Sequence, residues 1–221
     1  MTQLLILIKD LMLRLMGAYA EKGQEEDIED FEAEPYYVQM ERLVERYTQR
    51  KWSELHSAIQ EATGFSNSQT VFSAQRACKI ICFYIELVCR ERLDMSLWHF
   101  LRWSYENKCI EARNSKMLKT QVQFLEMLKQ AGLLRAPVYY SELTTLPAVL
   151  GYRRTVNWIG TVRIHTGFND KGERTFHSML MYNKNGNILI ADPSTRGIGK
   201  RWEVGVSYVN FQYFTSLNEE A

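Results

Sequence analysis

Apolar residues recur at helical spacing through most of the first 132 residues of the chain. Apolar side chains three or four positions apart predict amphipathic helices that each bury one face. Gly132 is predicted to end the last of them, because glycine readily adopts the left-handed conformation past a helix C-terminus. The predicted helical segments are residues 4–15, 36–62, 77–88, a helix through 98–103 capped by Asp94 or Ser96, and 115–129.

Residues 77–88 are the most apolar of these segments. A helix that is apolar on all sides is normally buried, so this segment is predicted to be the central helix of its domain. Ser73 is a suitable N-cap residue, which leaves open a helix that begins there. Cys78 would then lie past the first turn, where the effect of the helix dipole has faded.

The pattern changes near Leu133, where short runs rich in Val, Ile, Tyr and Trp replace the helical spacing. Such runs predict strands, and turns are predicted at Gly167, at Asn169-Asp170 and at residues 197–199. A helical first half followed by an antiparallel second half indicates the α+β class, with the central helix packed on the sheet. The predicted strands are residues 156–165, 176–182, 188–191, 202–206 and 208–214.

Two of these strands flank Asn185-Gly186, the strongest short-range signal for a β-hairpin. A type I′ turn is expected there, with both residues at positive φ. His177 lies at the start of the first strand and Asp192 at the end of the second. These two residues are therefore predicted to lie opposite each other, as an imidazole oriented by a carboxylate.

Charge is unevenly distributed although the total is small. The 221 residues carry a formal net charge of +1, which does not point to nucleic acid or an anionic membrane. Residues 1–34 hold nine acids and three bases, and most of the acids follow Glu21. We predict an amphipathic helix and acidic linker over 1–34, a helical extension over 35–70 and the main domain over 71–221.

The start of the chain shows no sign of export. Lys9, Asp10 and Arg14 interrupt the apolar residues 1–16, and neither a preceding basic region nor a cleavage site is present. A secretory signal is not predicted, and the segment is too short and too charged to span a bilayer. We expect a cytoplasmic protein with no transmembrane segment, whose first helix packs on the body or on a second subunit in a homo-oligomer.

The four cysteines form neither a disulfide framework nor the CxxC pairs of a zinc site. Cys82 and Cys89 are interpreted as small apolar core residues in a reducing compartment. A metal site formed by His165, His177 and Asp192 has little support, since two separated histidines and one carboxylate are weak evidence. No phosphate-binding or dinucleotide-binding glycine motif is present, so neither a metal nor a cofactor is expected.

Residues 78–193 contain three features in order: a cysteine near the start of a buried helix, a histidine that opens a strand, and an Asp-Pro that closes the next strand. This order resembles the papain-like cysteine peptidases, and the spacing from His177 to Asp192-Pro193 is closest to the bacteriocin-leader-processing (double-glycine) branch. The layout is also similar to an uncharacterised family of spirochaete proteins. The resemblance covers about residues 72–214 and implies a papain-like domain over 71–221.

The resemblance implies a Cys-His-Asp triad, with Cys78 as nucleophile, His177 as general base and later acid, and Asp192 as the orienting group. The Cys78 backbone N–H would be one oxyanion donor. Such peptidases usually carry a glutamine six residues before the cysteine as the second donor. Phe72 stands at that position, so Gln75 is the candidate donor.

Two functions remain open from the sequence. One is a thiol-dependent hydrolase, a peptidase by resemblance, which acts on a peptide or protein. The other is a catalytically inactive papain-like domain that binds a protein partner in the former substrate cleft. Cysteines on apolar helices are usually core residues, and His165 is a rival to His177 for the role of base.

Overall fold

The computed structural model describes residues 36–47, 52–90, 93–111, 113–135, 139–143, 158–184, 187–194, 197–201 and 211–218. The chain divides into Met1–Pro35 and Tyr36–Ala221, and every described residue belongs to the second unit. The predicted helix over 4–15 and the acidic segment lie outside the described residues. None of the helices in the described part is long and apolar enough to cross a membrane.

Most helices of the first half lie where the spacing of apolar residues predicts them. The predicted segment 36–62 forms two helices, and the central helix follows its predicted span closely. Ser96 caps the next helix, since its hydroxyl accepts from the His99 N–H. The helices are α1 (Tyr36–Arg46), α2 (Trp52–Thr63), α3 (Asn67–Ala74), α4 (Cys78–Cys89), α5 (Leu97–Glu106) and α6 (Gln121–Gln130).

The last helix begins later than the prediction of residue 115. Thr120 is its N-cap and forms a capping box with Gln123, and Ser115 adopts φ 52° in the preceding loop. A residue at positive φ cannot continue an α-helix, which explains the difference. Gly132 ends α6 as predicted, at φ 69°, and the Leu133 N–H donates to the carbonyl of Leu128.

The alternative helix start at Ser73 is not observed. An earlier helix, α3, begins after Ser66, which forms a capping box with Gln69, and Ser73 lies near the end of this helix. The Arg76 N–H donates to the Ser73 carbonyl at 3.0 Å, so the chain turns before α4 starts at Cys78. The cysteine therefore occupies the first position of the central helix and does not lie past its first turn.

The second half forms one six-stranded antiparallel sheet in the order β1-β6-β2-β3-β4-β5. Helices therefore precede strands along the described chain, and the α+β class is confirmed. The strands are β1 (Tyr139–Leu143), β2 (Ile159–Phe168), β3 (Arg174–Lys184), β4 (Asn187–Asp192), β5 (Gly197–Arg201) and β6 (Phe211–Asn218).

Two predicted turns are wrong and one strand is untested. Gly167 lies in β2, where a register irregularity between His165 and Gly167 lets the strand continue at φ 135°. The predicted turn at Asn169-Asp170 is confirmed, since the chain turns at 169–172 and the Gly172 N–H donates to the Asn169 carbonyl. Residues 197–199 belong to β5, and the predicted strand 202–206 lies outside the described residues.

The predicted hairpin is confirmed by the pairing of β3 with β4, which runs from Lys184–Asn187 to Leu180–Ala191. Two residues connect the strands, as the Asn-Gly signal predicts. Asn185 and Gly186 lie outside the described residues, so their positive φ remains a prediction.

The faces of the sheet differ in what they pack against. Side chains from Ile80 to Leu87 of α4 are all buried, and the apolar ones among them form one cluster with Leu180 and Tyr182 of β3. Successive strand residues point to opposite faces. Met179 and Met181 accordingly lie on the other face, in a second cluster with Trp158 and Val162.

Candidate functional site

Cys78 begins α4, with Ala77 as its N-cap. The first four N–H groups of a helix have no acceptor within it, and together they form the positive end of the helix dipole. The first intrahelical bond here runs from the Ile81 N–H to the Ala77 carbonyl. The Lys79 backbone N–H beside the sulfur lowers the pKa of the thiol. This position favours a negative charge on the sulfur.

His177 and Asp192 come together at the end of the β3–β4 hairpin. His177 Nε2 lies 2.8 Å from Asp192 Oδ1, and their side chains are 20% and 15% exposed. The predicted directly opposite position is not part of the ladder, because the pairing of β3 with β4 ends at Leu180–Ala191 and both His177 and Asp192 lie beyond it. The contact is made by their side chains past the last paired residues.

Ser194 orients the same carboxylate. Its backbone N–H and its hydroxyl both donate to Asp192 Oδ1, at 2.8 Å and 2.7 Å. The hydroxyl oxygen also lies 3.4 Å from His177 Nε2. An aspartate that accepts from the residue two positions later forms an Asx-turn, which holds the carboxylate in one orientation.

The Cys78 sulfur interacts with the His177 ring past the end of β4. Pairing between β3 and β4 stops at Leu180. The backbone N–H of Ser178, beyond that point, lowers the pKa of the Cys78 thiol. His177 shares its face with Met179, whereas α4 packs on the opposite face. The two groups therefore meet at the edge of β3. Because Asp192 engages Nε2, Nδ1 is the nitrogen available to the thiol.

The electrostatics of this site favour an ion pair. Burial raises the pKa of the Cys78 thiol, but the hydrogen bond and charge of His177 and two backbone N–H groups outweigh it, so the pKa is lowered. Burial lowers the pKa of His177, and its contacts with Asp192 and Cys78 raise it by more, to about 10. A thiolate beside an imidazolium is the reactive form of a cysteine nucleophile.

Asp192 stays ionised in this arrangement. Burial raises the pKa of its carboxyl, while hydrogen bonds from His177 and Ser194 and the charge of the ring lower it below the ordinary value. A negative Asp192 fixes the tautomer of the ring and stabilises its protonated form.

The other three cysteines lie in the core. Cys82 and Cys89 are 0% and 5% exposed, which confirms the interpretation of both as core residues. Burial raises their pKa values, and it also raises that of Cys109. All four cysteines are free thiols, and only Cys78 has a lowered pKa.

The candidate oxyanion donor Gln75 lies in the exposed turn just before Cys78, as the C-cap of α3. Its role as donor remains a prediction. The side-chain oxygen of Gln69 accepts from the Ser66 backbone N–H at 3.1 Å, which holds this amide at the start of α3. Phe72 is 39% exposed, so the usual place of the second donor holds an apolar ring at the surface.

The structure separates His165 from the site. His165 pairs with Phe176, one position from His177, and therefore points to the opposite face of the sheet. Its ring packs against Phe168 and Phe176 at centroid distances of 5.2 and 5.7 Å. Within the described residues, no group of three or more His, Cys, Asp or Glu side chains is placed to hold a metal ion.

Two contributors to this site were not predicted from the sequence. Ser194 follows Asp192-Pro193, and its contact could have been expected, because an aspartate side chain commonly accepts from the backbone N–H two residues later. The backbone N–H of Ser178 has no sequence signal, since its position depends on where β4 stops.

Comparison with protein-family models, curated proteins and solved structures found no match to this chain.

Proposed function

We propose that this protein is a thiol-dependent hydrolase, a peptidase of papain-like architecture, that uses Cys78, His177 and Asp192. One observation carries the proposal: the sulfur of Cys78, the His177 ring and the Asp192 carboxylate form one continuous chain of contacts. A buried core cysteine needs no such partners. Nucleophile, base and orienting carboxylate in contact are the signature of nucleophilic catalysis.

The contacts assign a role to each group. The Cys78 thiolate attacks a carbonyl carbon, a C–S bond forms, and the carbonyl oxygen becomes an oxyanion that the Cys78 N–H stabilises. His177 gives its proton to the leaving amine as the C–N bond breaks. Water then attacks the thioester and passes a proton to His177, and the thiolate leaves as the C–S bond breaks. Asp192 keeps the ring oriented throughout.

The free thiols support a reducing compartment, and we place the protein in the cytoplasm on that ground. Its partner would be a peptide or protein that reaches the edge of β3 beside the first turn of α4.

The alternative function is an inactive papain-like domain that binds a protein partner. The exposed Phe72 favours it, because an apolar ring stands where these peptidases usually carry the second oxyanion donor. Losing one such donor costs about 100-fold or more in turnover. If Gln75 does not reach the oxyanion, the Cys78 N–H is the one donor left to stabilise it.

Thiol reactivity tests the proposal. Cys78 should react with iodoacetamide at pH 6 at least about tenfold faster than a small free thiol, because a lowered pKa keeps more of it ionised. Mass spectrometry of the tryptic peptides identifies the labelled residue, and Cys82 in the same molecule is the internal control. A rate no faster than that of the small thiol would overturn the activated nucleophile and leave the binding module.

A further inference from the structure

Two cationic side chains flank the candidate nucleophile. Arg76 lies two residues before Cys78 in the exposed turn, and Lys79 follows Cys78 directly at partial exposure. The Arg76 guanidinium carbon lies 3.6 Å from the centroid of the Phe72 ring, and its Nη1 lies 3.5 Å from the Phe72 carbonyl. Stacking on an aromatic ring restrains a guanidinium and leaves N–H donors at its edge available.

These cations differ from two others in the described part of the chain, which have carboxylate partners. Arg102 pairs with Glu106 at 2.9 Å and Lys184 with Glu41 at 3.3 Å. Within the described ranges no carboxylate pairs with Arg76 or Lys79. A restrained guanidinium without a counter-charge, beside a helix N-terminus, is suited to bind an anion.

We propose that Arg76, stacked on Phe72 and assisted by Lys79, selects substrates that carry a carboxylate close to the reacting carbonyl. This inference rests on the proposed function, because it names the substrate class of the same site. The guanidinium fork binds a carboxylate through two parallel hydrogen bonds, and the ammonium of Lys79 adds a second positive charge. The exposed face of Phe72 offers an apolar surface beside the anion site.

The carboxylate has two sources in a peptide: an acidic side chain or the chain terminus. Two pairs of probes separate them. Iodoacetate and iodoacetamide present a free carboxylate or its amide on the carbon that is attacked. The chloromethyl ketones of N-acetyl-glutamate and N-acetyl-glutamine present the same contrast on a side chain. Each ratio of rates, acid over amide, is divided by the ratio for a small thiol in the same buffer of low ionic strength.

We expect at least one of the two normalised ratios to be about five. This value corresponds to roughly 1 kcal/mol of attraction between partly screened charges. Arg76→Gln should reduce that ratio to about a third or less, and added salt should reduce it in the wild type. Arg102→Gln is the matched control: it removes an equal charge that also lies over an aromatic ring, Trp98, on another helix. Its ratios should equal those of the wild type.

The outcomes separate this inference from the proposed function. A thiol that reacts rapidly with iodoacetamide but shows no preference for either acidic probe overturns the inference alone. A preference that survives Arg76→Gln, or that falls equally in Arg102→Gln, also overturns it. A Cys78 that is not activated toward iodoacetamide overturns the proposed function, and this inference with it.

Discussion

The two cysteines in the first half of α4 lie one helical turn apart and differ in almost every property that governs reactivity. Cys78 begins the helix, is partly exposed, and contacts the His177 ring and two backbone N–H groups. Cys82 is fully buried, and burial with the nearby charges of Cys78 and Asp192 raises its pKa. Burial raises the pKa of both thiols, so burial does not explain the difference.

The difference lies in the partners of each sulfur. Only the first turn of a helix offers free N–H groups, and only the edge of β3 beyond the end of β4 offers the His177 ring. One turn further along α4 both are out of reach, and a cysteine there behaves as a small apolar residue. The position of a helix start to within one turn therefore decides which thiol has a lowered pKa.

The largest expected effect is that of removing the sulfur of Cys78. Cys78→Ala should reduce iodoacetamide labelling of the folded protein at pH 6 by about 1000-fold, because a thiol whose pKa exceeds 9 is only about a thousandth ionised there. Cys82→Ala should leave the labelling rate within about threefold and lower the free energy of unfolding by about 1 kcal/mol. Rapid labelling that persists in Cys78→Ala would show that the rapidly reacting thiol is not Cys78.

His177→Ala should have the next largest effect. Without the ring, burial leaves the pKa of Cys78 high, so labelling at pH 6 should fall about 100-fold and then rise about tenfold per pH unit. The wild-type profile should instead level off at a lower pH than that of His177→Ala, because its Cys78 pKa is lowered. The pKa of His177 is about 10, above its ordinary value of 6.5. The stability that the charged ring contributes is thus complete below pH 6.5 and lost as the pH rises through about 10.

If the labelling rates of the wild type and of His177→Ala depended on pH in the same way, the expected role of the His177 ring would be contradicted. If His177→Ala labelled at pH 6 as fast as the wild type, the helix start alone would be sufficient to activate Cys78. Urea unfolding at pH 7 and pH 10.5 provides an independent measurement, since the loss of stability over that interval should be smaller in His177→Ala.

The sequence predicted those features of the site that depend on neighbouring residues. Asn185-Gly186 sets the register of the hairpin, which brings His177 and Asp192 to one end of it. The apolar run 77–88 predicted a helix that is apolar on all sides, and α4 spans nearly those residues. Both signals are complete within about 20 residues, so no knowledge of distant contacts is needed to interpret them.

The start of α4 was not predictable in the same way. No glycine or proline marks the break after Ala74, and Ser73 is a good N-cap by residue type. In the structure its hydroxyl instead lies 2.6 Å from that of Ser115, which is 42 positions away and at positive φ. A contact between distant segments overrides the local preference, and a local pattern cannot contain that information.

Asp192→Asn should have a smaller effect on the contrast between the two thiols. Loss of the charge lowers the pKa of His177 and weakens the ion pair, so labelling at pH 6 should fall about tenfold. The pKa of Asp192 is lowered in the folded protein, so its contribution to stability is present above pH 3.8 and lost as the pH falls below it. The wild type should lose about 1 kcal/mol more than Asp192→Asn between pH 5 and pH 3.

Ser194→Ala is the graded control for that variant, because it removes one hydrogen bond to Asp192 Oδ1 and keeps the charge. Its labelling rate should fall by about threefold at most. An Asp192→Asn variant indistinguishable from the wild type in both labelling and acid unfolding would mean that Cys78 and His177 act without the carboxylate.

The smallest expected effect concerns the turn that places Cys78 at the start of its helix. Ser73→Ala removes the hydroxyl that contacts Ser115, while the Ser73 carbonyl still accepts the Arg76 N–H at 3.0 Å. Loosening the end of α3 should let the turn and the first residue of α4 move relative to β3. We expect labelling of Cys78 at pH 6 to fall about threefold, with a loss of about 1 kcal/mol in stability.

Ser104→Ala is matched to Ser73→Ala in chemistry and burial. Ser104 is also fully buried, but its hydroxyl donates within its own helix, to the Phe100 carbonyl at 2.5 Å. It should lose similar stability and label at the wild-type rate. Equal labelling in the two variants would show that α4 keeps its start without the Ser73–Ser115 contact, and the distinction between Cys78 and Cys82 would then rest on His177 and the hairpin alone.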